Sequence, residues 1–241
     1  MEHRKHFYER YTRAQSRFTS EDQIHERVNA EHSNLALMMD GLLPMRKDTR
    51  IVDLGCGYGA FLLMLMKAGY SNLRGVDLSN EQIALAHRLG VHVAEIGTLQ
   101  HAIADETNVG MITMFDVIEH LTRIEAIEVL QSIYRALSDN GVLVMRTPNI
   151  DARLGSALSY GDLTHEMHLN KYSALELFAS LEYRSVEILP VFPVSSSRLT
   201  KILRSVASPL LNLHSRIEHL VQGVSYSATI STPNMMIIAR R

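Results

Sequence analysis

Cysteine is nearly absent: Cys56 is the single one in 241 residues, which excludes an internal disulfide framework and fits a reducing compartment. Long hydrophobic runs are missing too. The densest, Ala60–Met66, falls far short of the roughly 20 apolar residues that span a bilayer. Neither sign of charge dominates, with 24 Lys and Arg against 26 Asp and Glu and a pI near 6.6. Binding to nucleic acid through a basic surface is therefore not expected. The first residues, MEHRKHFYERY, lack the apolar stretch of a secretory leader, and a cytoplasmic location is expected. There is no internal repeat and no low-complexity tract. What is present is ordinary globular composition, 46% hydrophobic and 21% charged, in a chain long enough to bury a substantial core.

From Arg50 onward, short β-branched or apolar runs alternate with helix-period segments. Strands are predicted at Ile51–Leu54, Leu73–Asp77, Val91–Glu95, Met111–Val117 and Val142–Thr147. Ser79-Asn-Glu-Gln82 and Thr122-Arg-Ile-Glu125 have the spacing of a capping box, which satisfies two orphan amides at a helix start. Apolar residues then recur at helical intervals: Ile83, Ala86 and Leu89, and Ile127, Leu130, Tyr134 and Leu137. Gly69 and Gly90 stand where helix C-terminal caps are expected. Such alternation gives a parallel sheet covered on both faces. A further strand pair, Tyr183–Phe192 and Ser231–Ala239, brackets a helical insert at 197–223. The predicted fold is α/β, a doubly wound, mostly parallel sheet of seven strands. Residues 1–44 are expected to form a cap of two helices, the second opened by Ser20-Glu-Asp-Gln23 and stopped near Gly41 and Pro44. Residues 45–241 are expected to form the main domain.

The strongest chemical signal is Ile51-Val-Asp-Leu-Gly-Cys-Gly-Tyr-Gly59, a strand running into a G-x-G-x-G turn and then an apolar helix. Glycines at 55, 57 and 59 let backbone approach a ligand where a Cβ would collide. The helix start behind them offers free amides to a polar or anionic group. Asp77 ends the next strand 22 residues after Gly55, the offset at which a carboxylate takes ribose hydroxyls in nucleotide-binding sheets. The dinucleotide fingerprint G-x-G-x-x-G and the P-loop are both absent, and an acid, Asp53, stands two residues before the first glycine.

VDLGCGYGAFL followed by GVDLS resembles motifs I and II of the class I S-adenosylmethionine-dependent methyltransferases, enzymes with a Rossmann-like sheet. MFDVIEHL and GVLVMRTPN resemble their fourth motif and fifth-strand segment. The resemblance covers about residues 48–195 and the last strand. It implies S-adenosylmethionine as cofactor, with Asp53 placing the methionine amino group and Asp77 holding both ribose hydroxyls. Leu78 would pack on adenine, and Gly55, Cys56, Gly57 and Gly59 would form the loop against the methionine moiety. Asp116 would complete the cofactor set at the fourth strand's end. Ala94-Glu95-Ile96-Gly97-Thr98 departs from the acid-containing Gly-Asp pair that the family often has after the third strand, so no adenine-contacting side chain is assigned there.

On the acceptor side, DVIEHL resembles the ubiquinone-biosynthesis O-methyltransferases, and GDLTHEMH at 161–168 resembles methyltransferases of polysaccharide and sugar-modifying clusters. A helix capped by Ser173-Ala-Leu-Glu176 is expected to follow. Methyl transfer needs proximity and orientation, and a hydroxyl acceptor must also lose a proton. Histidine is the side chain whose ordinary pKa suits that task. His165 is the first candidate base, His120 the second and His168 the third, against the plainer reading that they belong to a His-rich chain. Asp116, Glu119 and His120 form a D-x-x-E-H cluster. In the ubiquinone enzymes the corresponding positions are associated with a divalent ion, but an acid-rich strand end is commonly only solvated, and no metal ligand is assigned.

In the insert, Ser208-Pro209 is read as the start of a second helix, and apolar residues from Leu199 to Val221 form one stripe. Packing on the domain, packing on a second subunit as a homodimer, and peripheral contact of 198–222 with the inner face of a membrane are all open. The leading function is O-methylation of a sugar or sugar-containing acceptor, small or lipid-linked. Methylation of a polyprenylated aromatic, and a non-catalytic nucleotide-binding partner, are the alternatives.

Overall fold

A computed structural model of the chain describes residues 21–192, 198–223 and 230–241. Seven strands make one sheet: β1 (Ile51–Leu54), β2 (Leu73–Asp77), β3 (Ala94–Ile96), β4 (Val109–Phe115), β5 (Leu137–Pro148), β6 (Ser185–Val191) and β7 (Asn234–Arg240). Their order is β3-β2-β1-β4-β5-β7-β6. β7 runs antiparallel to β5 and β6, and the remaining neighbours are parallel. This is the doubly wound α/β sheet that the alternation predicts. The chain winds outward from β1 to β3 and then returns to β4, so the crevice at the carboxyl ends of β1 and β4 is a topological switch point, where ligands bind in open α/β sheets.

The helices are α1 (Glu21–Met38), α2 (Ala60–Lys67), α3 (Asn80–Arg88), α4 (Leu99–Ala104), α5 (Arg123–Ala136), α6 (Gly155–Ser159), α7 (Lys171–Ala179) and α8 (Arg198–Val221), with a 3-10 turn at Ile118–His120. The period of two along the strands divides the core into two layers. Val52, Ile112, Leu143 and Ile237 pack with Leu130 and Ile133 of α5 on one face. Ile51, Met111, Val144 and Ile238 pack with Leu62 and Leu65 of α2 on the other. Leu35 of α1, and Met39 just beyond it, are buried in that second layer. The second helix of the expected cap is therefore α1, and the first lies outside the described residues.

Local chemistry explains most boundaries. Thr122 and Glu125 form the full capping box at α5. Ser79 caps α3 through the Gln82 amide, and its own N–H donates to Asp77 Oδ1 at 2.8 Å. Gly69 and Gly90 take positive φ just past α2 and α3, as C-terminal caps require. Two expectations need correction. α7 is capped by Asn170, with Ser173 as the reciprocal partner three residues in, because Asn170 Oδ1 reaches the Ser173 amide at 2.9 Å. α8 is one helix that runs through Pro209 without restarting. Its apolar stripe is not packed on the domain: Leu199, Ile202, Val206, Leu210, Leu213 and Leu220 are all more than half exposed. Among the described residues, no helix is long and apolar enough to cross a membrane.

Candidate active site

A cavity of about 260 Å³ opens at the switch point, walled by Asp53, Gly55, Cys56, Gly57, Asp77, Leu78, Leu99, Phe115, Asp116 and His120, among others. β1 delivers Asp53, buried at 3% exposure, and Thr113 of β4 donates its hydroxyl to Asp53 Oδ1 at 2.7 Å. Burial pushes the Asp53 carboxyl up to about 7, the Thr113 hydrogen bond opposing the shift. Gly55 and Gly57 make the turn at positive φ. A Cβ on Gly55 would collide with Val117, so that glycine serves the packing of the turn. A Cβ on Gly57 would meet nothing nearer than Gln82 Oε1 at 3.9 Å, so the space in front of Gly57 is open to a ligand. Cys56 lines the same wall as a thiol pushed up by burial, which makes it an inert apolar surface. Gly59 is the left-handed N-cap of α2 and does not line the cavity; a Cβ there would crowd Val91 at 2.9 Å.

Asp77 stands at the end of β2, as expected. Its Oδ2 accepts from the Gly57 amide at 2.9 Å and its Oδ1 from the Ser79 amide at 2.8 Å. Each oxygen keeps a further lone pair, so the carboxylate is pre-oriented to accept two vicinal hydroxyls. Leu78, about half exposed, forms an apolar lip beside it. Leu99, which the sequence reading left unassigned, supplies apolar surface from the start of α4. Among the described residues, buried Gln82 Oε1 at the cavity wall has no hydrogen-bond partner. An open cradle, a two-hydroxyl acceptor, a buried carboxylate and an apolar lip fit S-adenosylmethionine. Asp77→Ala should weaken its binding by about 1.5–3 kcal/mol, measured by calorimetric titration.

At the end of β4, Asp116 takes φ +56°, rare for a side-chain-bearing residue and characteristic of functional strand ends. Arg146 of β5 holds it from both sides. The Asp116 amide donates to the Arg146 carbonyl at 2.8 Å, and Arg146 Nε donates to Asp116 Oδ1 at 3.0 Å. Arg146 was missed by sequence reasoning, although an Arg in the apolar run GVLVMRTPN is the signal that points to it. Glu31 of α1 also lines the cavity and accepts from the Tyr58 hydroxyl.

The D-x-x-E-H cluster divides. Asp116 pairs with Arg146, while Glu119 and His120 turn toward the loop after α6. There the Glu119 carbonyl accepts the amides of Glu166 at 2.8 Å and Met167 at 3.0 Å, docking that loop on the 3-10 turn. The docking brings the His165 ring edge-on to His120, 4.7 Å between centroids. One ligand atom each from Glu119, His120 and His165 lies within 4.8 Å of the others. The expected acid-acid-His trio is thus an acid-His-His trio, with His165 in place of Asp116.

His120 is the histidine of the three that lines the cavity. Thr164 Oγ1 donates to Asp162 Oδ1 at 2.6 Å and so accepts from His120 Nδ1 at 2.8 Å. This sequence fixes the tautomer and leaves the lone pair on Nε2. Burial, then the neighbouring His165, pulls the His120 pKa below its usual value, so the ring is neutral near pH 7. His165 donates from Nδ1 to the Ser159 carbonyl at 2.9 Å and is not at the cavity wall. His168 stacks near Tyr160, 4.1 Å between centroids, also away from the wall. Burial, then the charge of Asp116, raises the Glu119 pKa, and the Thr147 hydroxyl donates to it at 3.1 Å.

A family model described as a methyltransferase domain matches residues 8–184. No curated protein matches the chain by sequence. Among solved structures, a SAM-dependent methyltransferase from Archaeoglobus fulgidus is similar at 19% identity and TM-score 0.64, covering 91% of this chain and 98% of that one. A methyltransferase from Thermotoga maritima, described as a possible histamine N-methyltransferase, is similar at 15% identity and TM-score 0.64, covering 99% of each chain. Phosphoethanolamine N-methyltransferase 2 of Haemonchus contortus, solved with S-adenosyl-L-methionine, is similar at 16% identity and TM-score 0.59, covering 86% of this chain and 51% of that one. The chain belongs to the methyltransferase-domain family and is a S-adenosylmethionine-dependent methyltransferase.

Proposed function

We propose that this enzyme methylates a hydroxyl of a small, sugar-containing acceptor, with His120 as the group that takes the acceptor's proton. The observation that carries the reading is a buried, neutral imidazole at the cavity wall, its Nδ1 committed to the Asp162–Thr164 pair and its Nε2 carrying the lone pair. S-adenosylmethionine, when bound, supplies an electrophilic methyl group. In this reading Asp53 and Asp77 orient the cofactor, the Asp116–Arg146 pair fixes the end of β4 at the cavity wall, and His165 is a positioning residue that packs on His120. Support for a sugar comes from the likeness of GDLTHEMH to sugar-modifying methyltransferases; nothing in the comparisons favours a ubiquinone-type acceptor. Incubation with S-adenosylmethionine and a panel of glycosides, nucleotide sugars, phenols and amines tests it through formation of S-adenosylhomocysteine. Turnover confined to the amines or phenols overturns it.

The Glu119, His120 and His165 trio favours a second reading. Two imidazoles and a carboxylate fit a borderline divalent cation such as Zn²⁺ or Mn²⁺, which would polarise the acceptor oxygen. The two readings predict opposite results with chelator. Full kcat in excess chelator is expected if His120 is the base; loss of activity that a divalent salt restores marks the metal.

A further inference from the structure

We infer that α8 is an interfacial helix that seats the enzyme on an anionic lipid surface. The helix carries a continuous apolar stripe: Leu199, Ile202, Val206, Leu210, Leu213 and Ile217 fall on one arc of the helical wheel at the three- and four-residue intervals of a single face. These residues are 52–66% exposed. The half-buried residues of the helix include Ser208, Ser215 and His219, and these lie on the opposite arc. The apolar arc is thus the exposed one, the reverse of a helix that completes a core. Monomeric proteins seldom leave so long an apolar surface uncovered.

Charge selects the occupant. α8 contains Arg198, Lys201, Arg204 and Arg216 against one acid, Glu218. That leaves 20 Lys and Arg against 25 Asp and Glu in the rest of the chain, so the positive charge is concentrated on the helix with the exposed stripe. Glu218 is drawn off by His214 at 3.2 Å and by Arg153 at 3.8 Å. By sequence register alone, Arg198 and Arg216 share one angle of the helical wheel at an edge of the stripe, the position that basic residues of an interfacial helix occupy. A second copy of the chain would bring the same positive helix against this one. An anionic bilayer brings the opposite charge. The Arg153 contact ties α8 to the segment after β5, where Leu154, Tyr160 and Leu163 are also exposed.

Flotation of the full chain with vesicles tests the inference. Binding to phosphatidylcholine vesicles containing about a third phosphatidylglycerol should exceed binding to phosphatidylcholine alone by at least tenfold, and should fall as salt screens the basic residues. Ile202→Glu with Leu210→Glu should weaken it about tenfold or more, and Arg198→Gln with Arg216→Gln severalfold, with cofactor affinity unchanged in both as the check on folding. Equal binding to both vesicle types, or none to either, overturns the inference, whatever the acceptor proves to be. So does a dimer in sedimentation that the double Glu variant converts to monomer, which would assign the stripe to a second copy.

Discussion

Asp53→Asn is expected to give a protein that is more stable at pH 8 yet binds S-adenosylmethionine far more weakly. The carboxyl is fully buried, and its folded pKa of about 7 lies above the ordinary 3.8. A carboxyl with a raised folded pKa binds its proton more tightly when folded, so its contribution turns against the fold as pH rises from about 4 to about 7, and the deficit persists above that. Asn keeps an oxygen to accept from Thr113 and carries no charge, so thermal melts at pH 8 should show stabilisation of about 1–4 kcal/mol, vanishing toward pH 4. Cofactor binding should move the other way. If Asp53 pairs with the methionine amino group, losing one partner of a buried charge pair costs about 2–5 kcal/mol. The pH dependence separates this from a packing effect. Wild-type affinity should fall by up to about tenfold per unit below pH 7 as Asp53 takes up its proton, while the Asn variant should be nearly flat. An Asn variant with wild-type affinity at pH 8 removes Asp53 from the cofactor site.

The parts of this molecule legible in the sequence were those governed by local chemistry. β1 and β2 have the predicted bounds because each apolar run is short and closed by a turn, and the Thr122–Glu125 box forms because its two hydrogen bonds span three residues. Asp77 and Gly57 were legible for the same reason, as one strand, one turn and a fixed offset. Where two local signals competed, geometry decided. Asn170 and Ser173 together form the reciprocal box, so α7 starts three residues before the Ser173-Ala-Leu-Glu176 signal, and Pro209 entered α8 without breaking it. The acceptor side was only half legible because its contacts cross long sequence separations. Nothing near Asp116 shows that Arg146 will claim it across 30 residues, nor that the Glu119 carbonyl will dock the amides of Glu166 and Met167 and carry His165 to His120. Twelve histidines were visible; that His165 would meet His120 and not the cavity wall depended on that docking.

His120→Ala is expected to lower kcat by about 10²–10⁴, the range of a general base, with cofactor affinity within about twofold. His120→Asn keeps a hydrogen-bonding group toward Thr164 without basicity and should be as slow. Because burial and His165 hold the His120 pKa below 6.5, wild-type kcat should be level near pH 7 and decline only at more acidic pH, as the ring takes up its proton. Thr164→Val then distinguishes a base from a packed ring. It removes the hydroxyl between Asp162 and Nδ1 while keeping the volume, so the imidazole stays but its tautomer is no longer fixed. A loss of about tenfold in kcat, with KM little changed and the acid limb displaced, is the expected signature of a positioned base. His165→Asn should act in the same direction, because the neighbouring ring is one of the two causes that lower the His120 pKa; without it the acid limb should move toward pH 6.5. A His120→Asn enzyme that retains full kcat with the true acceptor would show that the proton leaves by another route, and the Asp162–Thr164–His120 sequence would then serve only to hold the docked loop on β4.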